Sequence, residues 1–383
     1  MEYRKLGKTG MEAGVIGLGC EHLDGKPYEV VEQVIDTVLR QGMNLMDIFM
    51  PGNEVQSNIG KALGSRRKEV MIQGHIGSVD LKGQYDVSRD LEVCKRYFER
   101  LLTNLKTDYI DLGMLFYVDQ DSTVDLLFKN GIIDYVQGLK SQGVVRAIGM
   151  SSHNPIVAKR MLETGVVEHL MFSINPAFDM TAGDDDVLQH LDGEDFSAYR
   201  PGEMDPDRAA LYRLCAQREI GISVMKTLAS GKLLKAEHSP FQRALSVGQC
   251  IHYALTRPAV ASVLIGAESP AQVMEAVGYL TLGEEEKDYS SIINNFKGDF
   301  EGSCVYCNHC LPCPAEIDIA AVHRCLDVAK LDPGQVPVYI GAQYDALSAH
   351  AGDCIACGNC EKKCPFSVPV IKNMEQAKTL LGK

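Results

Sequence analysis

No run of about 18 uncharged apolar residues, the least that spans a bilayer as a helix, occurs in the 383-residue chain. No membrane span is expected. The opening MEYRKLGKTG is charged and lacks an apolar h-region, which argues against a secretory leader and gives a cytoplasmic expectation. Positive charge is also scarce: 38 Lys and Arg face 51 Asp and Glu, for a net charge of −13. On that balance neither nucleic acid nor an anionic membrane is an expected partner, which leaves small molecules and other proteins. With 45% hydrophobic and 23% charged residues, long disorder is not expected either. The length suits one large domain and a smaller one.

Cysteine is sparse over most of the chain. Cys20, Cys94, Cys215, Cys250 and Cys325 stand alone, while the other eight of thirteen form two runs between Cys304 and Cys364. In a reducing compartment such clustering reads as metal binding, not as a disulfide framework.

From residue 14 to about 280, short β-type runs alternate with amphipathic helical stretches. The strands are expected at Val15–Leu18, Met43–Asp47, Val70–Gln73, Tyr109–Leu115, Val145–Ser151, Leu170–Ile174, Ile222–Met225 and Ala261–Ile265. Helices are expected at Tyr28–Arg40, Asp90–Leu105, Ile132–Gln142, Pro155–Thr164 and Arg208–Gln217, each with apolar residues three and four apart. Eight regular units predict a closed (β/α)8 TIM barrel over residues 1–282, its bottom closed by a hairpin before Val15. A long acidic connection, Phe178 to Asp207, reads equally as a substrate lid or a solvated insertion. Residues 283–383 are expected to form a connector and a smaller, cysteine-bearing domain.

Its first motif is Cys304, Cys307, Cys310 and Cys313 before Pro314, and its second is Cys354, Cys357, Cys360 and Cys364 before Pro365. Three thiolates at this spacing can wrap three corners of a cubane, and the fourth reaches the other cluster in two-cluster ferredoxins. The expected ligand sets are therefore Cys304, Cys307, Cys310 and Cys364 for one [4Fe–4S] cluster, and Cys354, Cys357, Cys360 and Cys313 for the other. Two tetrahedral zinc sites are the alternative, although zinc usually pairs separate CxxC knuckles. Apolar periodicity at Ile317–Ala329 and near Tyr344–His350 predicts helices between the motifs, so the domain resembles the α-helical dicluster ferredoxins.

The segments YRKLGKTG (3–10), Gly17-Leu18-Gly19, NLMD (44–47), IGKAL (59–63), YIDL (109–112), IGMS (148–151), Gly266-Ala267 and SPAQ (269–272) together resemble the aldo-keto reductases. With the cysteine motifs appended, the chain looks like a ferredoxin-fused branch of that family. The resemblance implies hydride transfer from a nicotinamide to a carbonyl, with a tyrosine acid helped by lysine, aspartate and histidine. Of these only the aspartate stands here, as Asp47; Gly52 occupies the tyrosine position, His75 the lysine position and Phe116 the histidine position. Met225 replaces the aromatic that would stack on nicotinamide. Ordinary carbonyl reduction is therefore not expected.

Asp47 and His75 end neighbouring strands, which predicts a carboxylate–imidazole pair with His75 as proton donor or base. His153, and with less weight His22, lie at strand ends on the same face, and Tyr117 is a substitute acid if its strand has already ended. A metal held by Asp47, His75 and His22 lacks supporting spacing. A cofactor phosphate would fall near Lys226, Ser230 and Lys232, or Gly266, Ser269 and Gln272, where Ser269 reads as a helix cap before Pro270. Glu268 beside them disfavours NADP, so NAD(H) or a flavin is the expected organic cofactor. The leading expectation is an anaerobic iron–sulfur oxidoreductase acting on a small molecule at the barrel mouth, with a redox protein as a further partner. The alternatives are an electron carrier whose barrel only docks a partner enzyme, and an NAD-dependent carbonyl reductase with structural clusters.

Overall fold

The computed structural model describes residues 1–81, 84–181, 204–293, 302–331, 333–334 and 336–383. The acidic connection with Asp184, Asp185, Asp186, Glu194, Asp195 and Glu203, and the second part of the expected connector, lie outside the described residues.

Strands β1 (Tyr3–Lys5) and β2 (Glu12–Gly14) pair as an antiparallel hairpin. The barrel strands are β3 (Ile16–Gly19), β4 (Leu45–Ile48), β5 (Met71–Ile76), β8 (Ile110–Leu115), β9 (Val145–Ser152), β10 (His169–Ser173), β11 (Gly221–Met225) and β12 (Val260–Gly266). They close in the order β10-β11-β12-β3-β4-β5-β8-β9, and every printed barrel pairing is parallel. All eight sequence-predicted strands are present, most with ends moved by one to three residues. A second hairpin, β6 (Ser78–Leu81) and β7 (Gln84–Val87), follows β5 at once; the sequence reading had no strand there.

The hairpin β1–β2 acts as a plug. Leu6 and Ala13 pack with Leu45, Met71, Leu112, Met114, Ala147 and Met171 in a compact cluster. Gly7 (φ +56) makes this close approach possible, because a Cβ there would overlap the carbonyl oxygen of Glu219. Around the barrel, helices form where the periodicity placed them. Tyr28–Arg40 buries Val31, Val34, Ile35 and Val38 on one face, and Pro155–Glu163 starts where Asn154 Oδ1 accepts from the amides of Ile156 and Val157.

Beyond the barrel, the helix Ile319–Ala329 matches the expected apolar run. The second expected helix is displaced: it spans Val338–Asp345, entered through Pro337, and ends before His350. Proline at the start fixes a helical-type φ without costing a hydrogen bond, a start signal stronger than the apolar residues downstream. Val305, Ile317, Ile319, Val322, Leu326 and Met374 belong to the same continuous core as the barrel helices.

Two buried histidines tie this core to pH. His169 sits between β9 and β11, with Nε2 against Ser223 Oγ at 2.9 Å, and burial lowers it from 6.5 to about 3. His252 is lowered to about 3 by burial, with Lys287, Arg324, Arg257 and Arg4 adding to the effect. The unfolded chain takes up protons at about pH 6.5 that the folded chain refuses until about pH 3. Stability is thus whole above pH 6.5 and drains as pH falls from 6.5 toward 3. Between pH 7 and pH 5 each histidine should withdraw about 2 kcal/mol. Urea unfolding at the two pH values measures this, and the double variant H169Q/H252Q should lose most of the difference; a variant that keeps it places the pH sensitivity elsewhere.

Candidate functional site

The C-terminal ends of the barrel strands open on a cavity of about 380 Å3. Asp47, one residue from the end of β4, and His75, one residue from the end of β5, meet there: His75 Nε2 lies 2.7 Å from Asp47 Oδ1, and both side chains are buried. Gln73 Nε2 donates to the same oxygen at 2.9 Å. The other ring nitrogen of His75, Nδ1, is buried and has no hydrogen-bond partner. Phe116 meets the imidazole edge-on at 5.3 Å, and Phe49 does so at 6.1 Å. His75 lines the cavity, and an unpartnered buried ring nitrogen there is the kind of exception that marks a functional group.

A second imidazole–carboxylate pair faces the same cavity. His153 Nδ1 lies 2.9 Å from Asp119 Oδ2, while the His153 amide (2.6 Å) and Ser152 Oγ (2.9 Å) donate to Asp119 Oδ1. Burial opposes the Asp119 charge, but these hydrogen bonds outweigh it and hold the carboxyl below its ordinary range. Tyr117 packs on His153, ring to ring at 5.4 Å. Strand β8 ends at Leu115 and Tyr117 takes a left-handed φ of 53°, which turns the phenol toward the mouth instead of away from it. Arg89 holds this turn by donating to the carbonyls of Phe116 and Tyr117.

Of the expected phosphate-binding residues, Lys226, Ser230 and Gly266 line the cavity, together with His22 and Met225, while Lys232, Ser269 and Gln272 do not. Lys226 makes no ion pair with a described residue, which leaves its ammonium available to an anion. Ser269 Oγ is engaged in capping, accepting from the Gln272 amide at 3.4 Å, and Glu268 is bound to Lys26 at 2.5 Å. Thr227 Oγ1 is a further buried, unpartnered atom in the wall.

Asp119, Phe49, Tyr85 and Thr227 are site residues that sequence reasoning missed. Asp119 carried a signal, a carboxylate four residues past the expected β8, in the same run as Tyr117. Tyr85 carried none, since it arrives from the β6–β7 hairpin, its ring 5.4 Å from Phe49 and 6.5 Å from Phe116.

Cys304, Cys307, Cys310 and Cys364 line a single small recess beside Ile319 and Phe366. None of the thirteen cysteines is paired in a disulfide. Burial pushes Cys307 and Cys310 up to about 12, with neighbouring thiols adding to it and backbone amides opposing it. Burial raises the thiol of Cys360, with Glu361 and Cys354 adding to it, whereas Cys357 is exposed. Among the described residues no three His, Cys, Asp or Glu side chains are gathered closely enough to hold a single metal ion.

A buried polar chain connects the two regions. Arg208 donates to Ser173 O at 2.8 Å and to His153 O at 3.4 Å and lies 3.7 Å from Asp179. Asp179 accepts from Tyr212 (2.5 Å) and Tyr253 (2.9 Å). Arg257 lies over the Tyr253 ring and Tyr289 meets it edge-on, and both Arg257 and Tyr289 donate to Val305 O at 2.8 Å, between Cys304 and Cys307.

The model of the aldo/keto reductase family matches residues 15–244, a span that ends before the cysteine runs. An oxidoreductase of Bacillus subtilis (strain 168), YqkF, described as uncharacterized, is 27% identical over 305 residues, covering 75% of this chain and 94% of its own. The aldo-keto reductase AKR11C1 from Bacillus halodurans superposes in its holo form with a TM-score of 0.60 at 22% identity, over 77% of this chain and 96% of its own. Its apo form gives a TM-score of 0.54 at 21% identity, over 77% and 96%. At these identities the two structures speak for the shared fold alone.

Proposed function

Because the chain belongs to the aldo/keto reductase family, we propose that it is an oxidoreductase that exchanges electrons with a small molecule or redox cofactor at the barrel mouth, through two [4Fe–4S] clusters held by the C-terminal cysteines. The observation that carries the reading is the His75–Asp47 pair at the cavity, with Asp47 on Nε2 and Nδ1 without a partner. Asp47 fixes the tautomer with the proton on Nε2, so Nδ1 can take a proton and return it to a substrate oxygen. The Asp119–His153 pair offers a second proton position across the mouth, and Tyr117 and Tyr85 bring phenols to the same cavity. Lys226 is placed to hold an anionic group of the ligand.

The cysteines suit a cubane better than a single ion. Cys304, Cys307, Cys310 and Cys364 share one recess, and the two-residue spacing within each run is that of cubane ligands, whereas zinc pairs separate CxxC knuckles. Cys304, Cys307, Cys310 and Cys364 would hold one cluster, and Cys354, Cys357, Cys360 and Cys313 the other. Clusters so held would supply electrons singly, and NAD(H) or a flavin at the mouth would deal in pairs.

A second reading, an electron carrier whose barrel docks a partner enzyme, is favoured by one observation. Cleft-lining residues of the helices Ile319–Ala329 and Val338–Asp345 face the barrel end that carries the β1–β2 hairpin, opposite the mouth. Visible spectra of anaerobically purified protein separate the two. A brown band that NADH bleaches supports the oxidoreductase, and a band that only dithionite bleaches supports the carrier. Iron at fewer than four atoms per chain would sink the cluster assignment itself, and turnover of simple aldehydes without iron would make the protein an NAD-dependent carbonyl reductase.

A further inference from the structure

A cavity larger than the mouth lies elsewhere in the described residues. A cleft of about 830 Å3 lies at the other end of the barrel, walled by the β1–β2 hairpin, the turns at residues 219–221 and 257–260, and the helices Ile319–Ala329 and Val338–Asp345. Its volume is that of a small-molecule site, about 300–1,000 Å3. Ile220, Val328, Ile340 and Leu347 give it an apolar wall, and Arg4 and Arg324 give it charge.

The two arginines differ in how they are held. Arg4 is fixed: its Nε lies 3.0 Å from Glu2, and its Nη1 donates to Leu255 O (2.8 Å) and Val260 O (3.2 Å), leaving Nη2 unused. Arg324 is partly buried and makes no hydrogen bond or ion pair with any described residue. None of its nitrogens is among the fully buried unpartnered atoms, so its donors open onto the cleft, where a ligand's acceptor can meet them. Burial first, then repulsion from Arg4, lowers the pKa of Arg324. The carboxylates facing the cleft are Glu2, Glu12 and Glu219; Glu2 is taken by Arg4, and none reaches Arg324. His252 also registers the crowding of Arg324, Arg257 and Arg4, after burial and Lys287.

We infer that this cleft binds an organic anion with an apolar body, its carboxylate or phosphate held by Arg324 and by Nη2 of Arg4, and its body laid on Ile220, Val328, Ile340 and Leu347. The site is separate from the mouth, and nothing in the inference requires iron. A single acceptor group there would satisfy both guanidinium edges and remove their repulsion.

Calorimetric titration of the full chain with octanoate and with adenosine 5′-monophosphate tests it, the two probes distinguishing a carboxylate from a phosphate source. One probe should bind once per chain, and Arg324→Gln should weaken it by about tenfold or more. Ala342→Trp, which fills the cleft from its exposed rim and leaves Arg324 in place, should weaken it too, whereas Lys226→Ala in the mouth should not. Unchanged circular dichroism shows that each variant is folded. The inference is overturned if neither probe saturates at millimolar concentration, if Arg324→Gln and Ala342→Trp leave affinity unchanged, or if Lys226→Ala alone weakens it.

Discussion

Replacing His75 with alanine should lower turnover by about 10²–10⁴-fold, the usual contribution of a positioned proton-transfer group, while iron content stays at the wild-type level. The reason is local. Asp47 already occupies Nε2 and the aromatic rings of Phe49 and Phe116 pack on the imidazole, so alanine leaves no base at that wall, and His153 stands on another strand end of the same cavity. Turnover is read with reduced methyl viologen as donor and a panel of carbonyl acceptors. Asp47→Asn should cost less than His75→Ala, because Gln73 and the ring packing still hold the imidazole while its tautomer is freed. A His75→Ala protein that turns over normally would remove the residue from the mechanism and shift attention to His153 and Asp119. Activity lost together with iron would instead mean that the change reaches the cysteines by misfolding.

The largest stability effect should come from Asp179, which is fully buried. Its carboxylate receives two tyrosine hydroxyls and faces Arg208. Burial pushes its pKa up, against the pull of Arg208 and Arg257. Asp179→Ala leaves a buried guanidinium uncompensated and two phenols without their acceptor, a loss of about 3–5 kcal/mol. Urea unfolding at pH 7 measures it, and a loss below about 1 kcal/mol would mean that water or a side-chain shift replaces the carboxylate. Since Arg208 also donates to the His153 carbonyl, the variant should loosen one wall of the mouth.

Much of the barrel was legible because its signals are local. The helix Tyr28–Arg40 was readable to the residue from the spacing of Val31, Val34, Ile35 and Val38, and the eight strands from their apolar runs. The Asp47–His75 contact was legible for a topological reason: consecutive strands of a parallel barrel are neighbours, so residues near their ends meet. Tyr85 was not, because it enters on a hairpin whose polar strands, QYDV included, read as loop. The partnership of Asp119 with His153 joins two segments more than thirty residues apart, and nothing in their local composition announces it. Nor could apolar periodicity say which end of the barrel the helix Ile319–Ala329 would cover. That choice is made by shape and by buried polar contacts such as Arg257 with Val305.

The carbonyl of Val305 accepts from Arg257 on the turn before β12 and from Tyr289. A peptide group clamped in this way belongs to two halves of the chain at once, so neither half can open without exposing buried donors of the other. Heating should therefore give one calorimetric transition, with no separate melting of the cysteine segment, and whatever loads Cys304 and Cys307 should raise the melting temperature of the barrel by mass action. By the same reasoning, a chain cut at residue 282 would leave Arg257 without Val305 and Tyr289, and would be a weaker fold than the division of the sequence suggests.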